Sequence, residues 1–120
     1  MFLKMLKSKL HRATVTQTRL NYPGSILIDA ALMKAANILP YEAVLIADLN
    51  NGNRIETYAV PAPANSGQIV VLGAAAKLAR KNDIIIIFSF TYCTSAQARK
   101  IKPKVVLLDK HNRIRKPVKS

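Results

Sequence analysis

Asp83-Ile84-Ile85-Ile86-Ile87-Phe88-Ser89-Phe90 is the most strongly patterned run of the chain. It is almost continuously apolar, rich in β-branched side chains, and opens on the turn Lys81-Asn82-Asp83. Its length and composition read as a strand. Its continuity predicts burial on both faces. Upstream, Gly73-Ala74-Ala75-Ala76 begins a helical turn to about Arg80, and Gln68 to Leu72 is a short strand. Pro61 to Gly67 is a loop. Arg54 to Val60 and Ala43 to Leu49 are strands joined by Asn50-Asn51-Gly52-Asn53, whose Asn and Gly residues tolerate the positive φ of a hairpin turn. Asp29 caps a helix over Ala30 to Ala36, which Pro40 ends. Ser25 to Ile28 and Leu10 to Thr18 complete the upstream strands, with the Pro23-Gly24 turn between them. Downstream, Lys104 to Leu108 is the last strand. Many short strands with two short helices predict a mainly β fold, a compact barrel with helical insertions. The pattern does not reach a particular topology. One domain over residues 1–109 is expected, followed by a basic, mobile tail over 110–120.

Composition narrows the class. A chain of 120 residues fits one domain. It buries roughly two thirds of its unfolded surface, which leaves little room for a deep private site and favours sites between subunits. No apolar stretch approaches the ~18 residues of a membrane span. Lys4, Lys7, Lys9 and Arg12 interrupt any signal-peptide segment. The single cysteine, Cys93, excludes an internal disulfide and fits a cytoplasmic location. The net charge is +13. Of the 19 Lys and Arg residues, five lie between Lys4 and Arg19 and nine between Arg99 and Lys119. Such charge suits a small RNA-binding or ribosome-associated protein, or a solvated appendage on something else. The seven aromatic residues are dispersed and form no RNA-recognition signature, which disfavours nucleic acid.

Most familiar chemistry is absent. The four glycines, at 24, 52, 67 and 73, form no phosphate-binding loop. One Cys and two distant His residues cannot build a zinc site, so no metal is expected. No close carboxylate pair is visible among the six acids. Ser25, His11 and Asp29 could be drawn as a triad, but no nucleophile elbow surrounds Ser25.

Tyr22-Pro23-Gly24-Ser25 taken alone is an ordinary turn. It gains meaning from its companions: Met5-Leu6-Lys7-Ser8-Lys9-Leu10-His11-Arg12, Asn51-Gly52-Asn53-Arg54-Ile55-Glu56-Thr57-Tyr58, Gly73-Ala74-Ala75-Ala76 and Asp83 to Phe90. In this order and spacing the pieces resemble the bacterial aspartate 1-decarboxylases over nearly the whole chain, least beyond about Arg99. The resemblance implies a double-psi β-barrel, a homotetramer and conversion of L-aspartate to β-alanine and carbon dioxide on the way to pantothenate and coenzyme A. It implies a pyruvoyl cofactor made from Ser25 by self-cleavage at Gly24-Ser25, giving a β chain, 1–24, and an α chain from 25. A maturation helper protein is a further option.

The chemistry is coherent with those residues. Loss of carbon dioxide from an amino acid leaves a carbanion that needs an electron sink. Pyridoxal phosphate would need a phosphate cup, which the chain lacks. A pyruvoyl carbonyl, joined to the substrate amine as a Schiff base, is the other solution. Gly24 suits the cleavage by leaving its carbonyl open and by admitting strained backbone. By resemblance, Thr57 assists cleavage and contributes to the substrate site, and Tyr58 is the proton donor. Arg54 binds a substrate carboxylate, and Lys9 and His11 add positive potential. The amides of Gly73, Ala74 and Ala75 bind substrate or the pyruvoyl oxygen. Thr57 and Tyr58 point to opposite faces of a regular strand, so they serve one centre only if the strand bends or the two tasks use different sides. Two positions depart from the family. Leu72 stands where an asparagine is usual, which removes a hydrogen-bonding group. A tryptophan usual near Ala47 is missing. A catalytically silent barrel is the reading if Leu72 impairs maturation.

Overall fold

The structure, a computed structural model, describes residues 1–116. Nine strands occur in the order β1 (Phe2–Thr14), β2 (Gln17–Arg19), β3 (Ser25–Asp29), β4 (Ala43–Asp48), β5 (Arg54–Ala62), β6 (Ile69–Leu72), β7 (Ile84–Thr94), β8 (Lys104–Leu108) and β9 (Ile114–Arg115). Helix α1 (Ala30–Ala35) follows β3, a 3-10 turn (Gly73–Lys77) follows β6, and α2 (Ser95–Ala98) follows β7.

The strands pair in the order β2-β6-β3-β5-β4-β7-β1-β8-β9. Only Val15 and Thr16 separate β1 from β2, so the ladder returns on one continuous segment and closes. Thr16 makes the join: its amide donates to the Ile69 carbonyl at 2.8 Å, and its hydroxyl accepts the Ile69 amide at 3.0 Å. Consecutive strands usually lie side by side, yet here only β4/β5 and β8/β9 do. β3 is threaded between β5 and β6, and β1 between β7 and β8. Each intruder runs parallel to one flanking strand and antiparallel to the other. These two psi-shaped crossings make the molecule a double-psi β-barrel, as the resemblance implied. Its interior is filled by Leu10, Ile26, Ile28, Ile46, Ile85 and Ile87 among others, all fully buried.

Local signals account for the positions of the turns. Asp29 caps α1 by accepting the Ala31 amide at 2.8 Å, and it also accepts the amides of Asn65 and Gly67 at 2.9 Å each. One aspartate therefore fixes both the helix start and the β5–β6 loop. Gly52 takes φ 77° in the β4–β5 hairpin.

Three differences from expectation bear on the barrel. β7 is not buried on both faces: Ile85, Ile87 and Ser89 are buried, while Ile86, Phe88 and Phe90 are half-buried on the outside of the barrel. It is an antiparallel barrel strand with one inner face, not a layer covered twice. β1 begins eight residues before Leu10 and carries register shifts at Leu6/Ser8 and Leu10/Ala13. These bulges scramble its alternation. The tail expected from 110 onward is built into the barrel as far as Arg115, which pairs with Leu107 of β8. Asn112 is buried, its amide nitrogen donates to the carbonyls of Thr14 (2.9 Å) and Gly67 (2.8 Å), and its oxygen accepts the Thr14 amide at 2.7 Å. Residues 117–120 lie outside the described residues.

Candidate active site

Ser25 begins β3 as the chain leaves an exposed segment ending at Gly24, and it is itself only 4% exposed. On one side it pairs with Leu72 of β6. On the other, the parallel β3–β5 register begins at Ile26 opposite Ala59, and one step back places Ser25 beside Tyr58. Residues facing each other across a ladder share a face, so Leu72, Ser25 and Tyr58 form a row on the outside of the barrel. A cleft of about 220 Å³ next to this row is lined by Arg19, Tyr22, Leu27 and Leu72 among others.

The same alternation separates Thr57 from Tyr58. Thr57 is half-buried and falls in the set of Ile55 and Ala59, whereas Tyr58 falls in the exposed set of Arg54 and Glu56. The strand stays regular here, so the two residues use different sides. The Tyr58 ring lies 6.4 Å from that of Tyr41. The adjoining loop grips β5: the Tyr41 amide donates to the Ala59 carbonyl at 2.7 Å, and the Ala59 amide to that of Glu42 at 3.0 Å. Glu42 is in turn fixed by Lys7 at 2.9 Å and by the Ser89 hydroxyl. Sequence reading missed Tyr41 and Glu42, which carry no motif.

Gly24 does not need to be glycine for backbone reasons. Its φ is outside the left-handed region, and a Cβ there would meet only the Leu72 carbonyl oxygen, at 4.0 Å. The expectation of a strained Gly24 is therefore corrected. Gly73 is the constrained glycine, with φ 73°. Leu72 precedes the 3-10 turn in extended conformation and supplies no side-chain cap. The first amides of the turn, including those of Gly73, Ala74 and Ala75, thus begin without a side-chain acceptor from that position. Gly73 and Ala75 are buried and Ala74 is exposed.

Lys9, His11 and Arg54 form a second group. Phe88 lies between two of them: Lys9 Nζ is 6.0 Å and Arg54 Cζ is 5.9 Å from its ring centroid. Both cations therefore rest on the outer face of β7. Arg54 is four residues from Tyr58, roughly 13 Å along the strand. Its guanidinium leans across β4, away from β3 and Ser25. One chain therefore does not bring these cations to Ser25. The bulge at Leu10/Ala13 re-aims His11. Its Nδ1 is buried with no hydrogen-bond partner among the described residues. Burial, then Lys9 and Arg12, hold its pKa below the ordinary imidazole value. At neutral pH it is a neutral hydrogen-bonding group rather than a third cation, which corrects the expectation of added positive potential.

A carboxylate pair invisible in the sequence also emerges. Asp48 and Asp83, both buried, meet where β4 ends and β7 begins. Burial and the shared hydrogen bond with Asp83 push Asp48 up to about 6. The neighbouring hairpin reaches the segment after the 3-10 turn, since the side-chain Nδ2 groups of Asn51 and Asn53 donate to the Leu78 carbonyl at 3.0 and 2.9 Å. Among the described residues, no three His, Cys, Asp or Glu side chains converge as metal ligands, and no helix is long and apolar enough to cross a membrane.

Comparison with known proteins is consistent with this arrangement. The sequence pattern of the family described as aspartate decarboxylase matches residues 1–115. An aspartate 1-decarboxylase of Moorella thermoacetica is 56% identical over 110 residues, which cover 92% of this chain and 86% of the relative. One from Clostridium botulinum strain Loch Maree is 53% identical over 116 residues, covering 97% and 91%. One from Clostridium beijerinckii is 51% identical over 115 residues, covering 96% and 93%. A match over almost every residue, on a barrel with Gly24-Ser25 at the mouth of β3, means that this chain belongs to the aspartate decarboxylase family.

Proposed function

We propose that this protein decarboxylates L-aspartate to β-alanine and carbon dioxide, using a pyruvoyl group that it makes from Ser25. The observation that carries the reading is Ser25 itself: a buried residue at the first position of a core strand, following an exposed glycine with free space at its α carbon.

Maturation needs no outside oxidant. The Ser25 hydroxyl oxygen bonds to the Gly24 carbonyl carbon and the peptide C–N bond breaks, leaving an ester and a free amine. Loss of the serine α proton then expels the Gly24 carboxylate and leaves dehydroalanine. Water hydrolyses its imine tautomer, releasing ammonia and leaving the pyruvoyl carbonyl. Thr57, facing the interior beside this segment, supports the Gly24 carbonyl region in our reading.

The surroundings of Ser25 suit such a group. It would sit in the row of Leu72 and Tyr58, near the first amides of the 3-10 turn. When present, it supplies the electron sink for the pair of electrons left by departing carbon dioxide. Tyr58 shares the face of Ser25, and we assign its hydroxyl the proton delivered to the α carbon. Arg54 offers a fork for one carboxylate, Lys9 adds charge, and neutral His11 adds a hydrogen bond. The amides of Gly73, Ala74 and Ala75 would receive the second anionic end.

Lys9 lies on β1 and the Arg54 guanidinium leans across β4 to Phe88, whereas Ser25 lies on β3, so a substrate as small as aspartate cannot span both in one chain. A second copy that brings its cationic face to the Ser25 row completes the site. This supports an assembly of at least two copies; that it is a homotetramer is what the resemblance implies. By resemblance, we place the reaction in the cytoplasm, in pantothenate synthesis, and leave cleavage either spontaneous or assisted by a helper protein.

Intact-mass measurement tests the central claim. The parent should yield two fragments split at Gly24-Ser25 with a modified terminus on the larger one, and should release β-alanine from aspartate. Ser25→Ala should stay whole and inactive. Normal cleavage in Ser25→Ala would end the reading.

A further inference from the structure

The glycine that the scissile segment depends on lies opposite it. We infer that Gly73 is a positioning residue for cleavage, its bare α carbon serving as the abutment that holds Gly24 for attack by Ser25. The inference rests on the self-cleavage reading above and adds a role for Gly73 distinct from donating an amide to substrate.

Ser25 and Leu72 form the last pair of the β3–β6 ladder. One step further Gly24 and Gly73 face each other, and there the chain leaves the ladder, turning at φ 73° into the 3-10 segment. A Cβ on Gly73 would lie 2.6 Å from Gly24 Cα, 2.8 Å from Gly24 N and 2.8 Å from the Tyr22 carbonyl oxygen. All three are backbone atoms, which cannot swing aside as a side-chain tip can. Since a Cβ sits about 1.5 Å from its Cα, the two α carbons are no more than roughly 4 Å apart, nearer than the ~4.5 Å of the closest ordinary antiparallel pairs. The other glycines supply the contrast. A Cβ on Gly24 has room, and Gly52 has nearly the same φ, 77°, with nothing within 4 Å. Positive φ alone therefore does not distinguish Gly73; contact with the scissile segment does.

The mechanical consequence follows. Ser25 is held by β3 pairing on its C-terminal side. The Tyr22–Gly24 turn is held by Gly73 on the other. The peptide between them, whose C–N bond breaks as the Oγ–C bond forms, is fixed at both ends. Attack requires the oxygen within about 3–3.5 Å of the carbonyl carbon, and a displacement of 1 Å costs on the order of 10²-fold. Moving a methyl from 2.6 Å to ordinary contact at 3.4 Å or more forces a displacement close to that size.

The test compares Gly73→Ala with Gly52→Ala, following the cleaved fraction over time by intact mass alongside thermal unfolding. Both variants place alanine at a strained φ, so both should lose some stability. Only Gly73→Ala should be cleaved slowly, by about 10²-fold relative to the parent. Cleavage of folded Gly73→Ala at the parent rate, or equal slowing in Gly52→Ala, overturns the inference. Should Gly73→Ala fail to fold, Gly24→Ala carries the test. Its methyl has room, so it should still be cut, though more slowly than the parent; a folded, wholly uncut Gly24→Ala would show that freedom within Gly24 sets the geometry. An uncut parent sinks the self-cleavage reading itself, whereas a cut parent with a normally cut Gly73→Ala sinks only this inference.

Discussion

Asp48→Asn should stabilise the protein at neutral pH and flatten its stability profile between about pH 4 and 7. Asp48 Oδ1 accepts the Asn50 amide at 2.8 Å, and Asp83 Oδ2 accepts the Arg80 amide at 2.9 Å. Asp48 Oδ2 is buried with no donor among the described residues. A proton held by the Asp48–Asp83 pair would supply one. Burial and this shared bond raise Asp48 from the ordinary 3.8 to about 6. A folded-state pKa above the unfolded value means that the pair favours the fold fully below about pH 4. That contribution disappears as the pH rises through 6. The rise corresponds to on the order of 3 kcal/mol at 1.36 kcal/mol per pKa unit. Asparagine keeps the acceptor for the Asn50 amide and offers a permanent N–H to Asp83.

Urea unfolding at pH 4.5 and 7.5 checks this, with the Ser25→Ala change present in both proteins so that each chain stays whole. Protein concentration must be matched, because assembly adds to apparent stability. The variant should gain on the order of 2–3 kcal/mol over its parent at pH 7.5 and little at pH 4.5. The difference between the two proteins is the quantity to read, because other acids slope the opposite way. Asp29, despite the upward push of burial, is held low by the amides of Gly67, Asn65, Ala31 and Leu32. Glu42, against the same push, is held low by Ser89, Leu39 and Lys7. Their contributions are lost as pH falls, equally in parent and variant. Parallel stability curves for the two proteins from pH 4.5 to 7.5 would show that Asp48 is ionised throughout, and the shared proton would have to be abandoned.

Tyr58→Phe should still be cleaved but turn over ~10²–10⁴ more slowly, measured per cleaved chain; full activity would require another acid. Thr57→Val should show its defect earlier, as a reduced cleaved fraction by mass spectrometry, and normal cleavage would remove Thr57 from maturation. Asn112→Ala should lower stability by about 2–4 kcal/mol, because it strands the amide of Thr14 and two carbonyls. Truncation after Asp109 should do at least as much harm in thermal unfolding, and no loss in either would mean that water replaces Asn112 without cost.

What the sequence revealed depends on how far apart the interacting residues are. The Asp29 cap and the Asn50–Asn53 hairpin are decided within a few residues, so they were legible. The start of β1 was not, because Lys4, Lys7 and Lys9 look like a solvated charge run and two bulges break the period-2 pattern. α2 was missed although Thr94 and Gln97 form a capping box, a signature open to inspection. Asp48 and Asp83 meet only because β4 pairs with β7. Asn112 reaches Thr14 across 98 positions, and a buried asparagine in a basic tail carries no local mark. In the site, the motif located Ser25, Tyr58 and Arg54. It could not tell that Arg54 faces Phe88, because that follows from which strands flank β5.

The same topology explains how a barrel could survive being cut in its own chain. The break would fall after Gly24, in a segment where Leu20 and Tyr22 are each 50% exposed. Their side chains are half exposed, so severing the chain there forfeits little burial. The fragment before the break carries β1, which lies inside the ladder, and β2, which forms one end of it. β1 is hydrogen-bonded to β7 on one side and β8 on the other, β2 is bonded to β6, and Leu10, Ala13 and Val15 are wholly buried. Ser25 begins a strand already held by β5 and β6. The threading of β1 between β7 and β8, which the sequence pattern alone did not reach, thus performs a second task. It would keep both products of the proposed cleavage in one barrel, with the new end of the second fragment still seated between Leu72 and Tyr58.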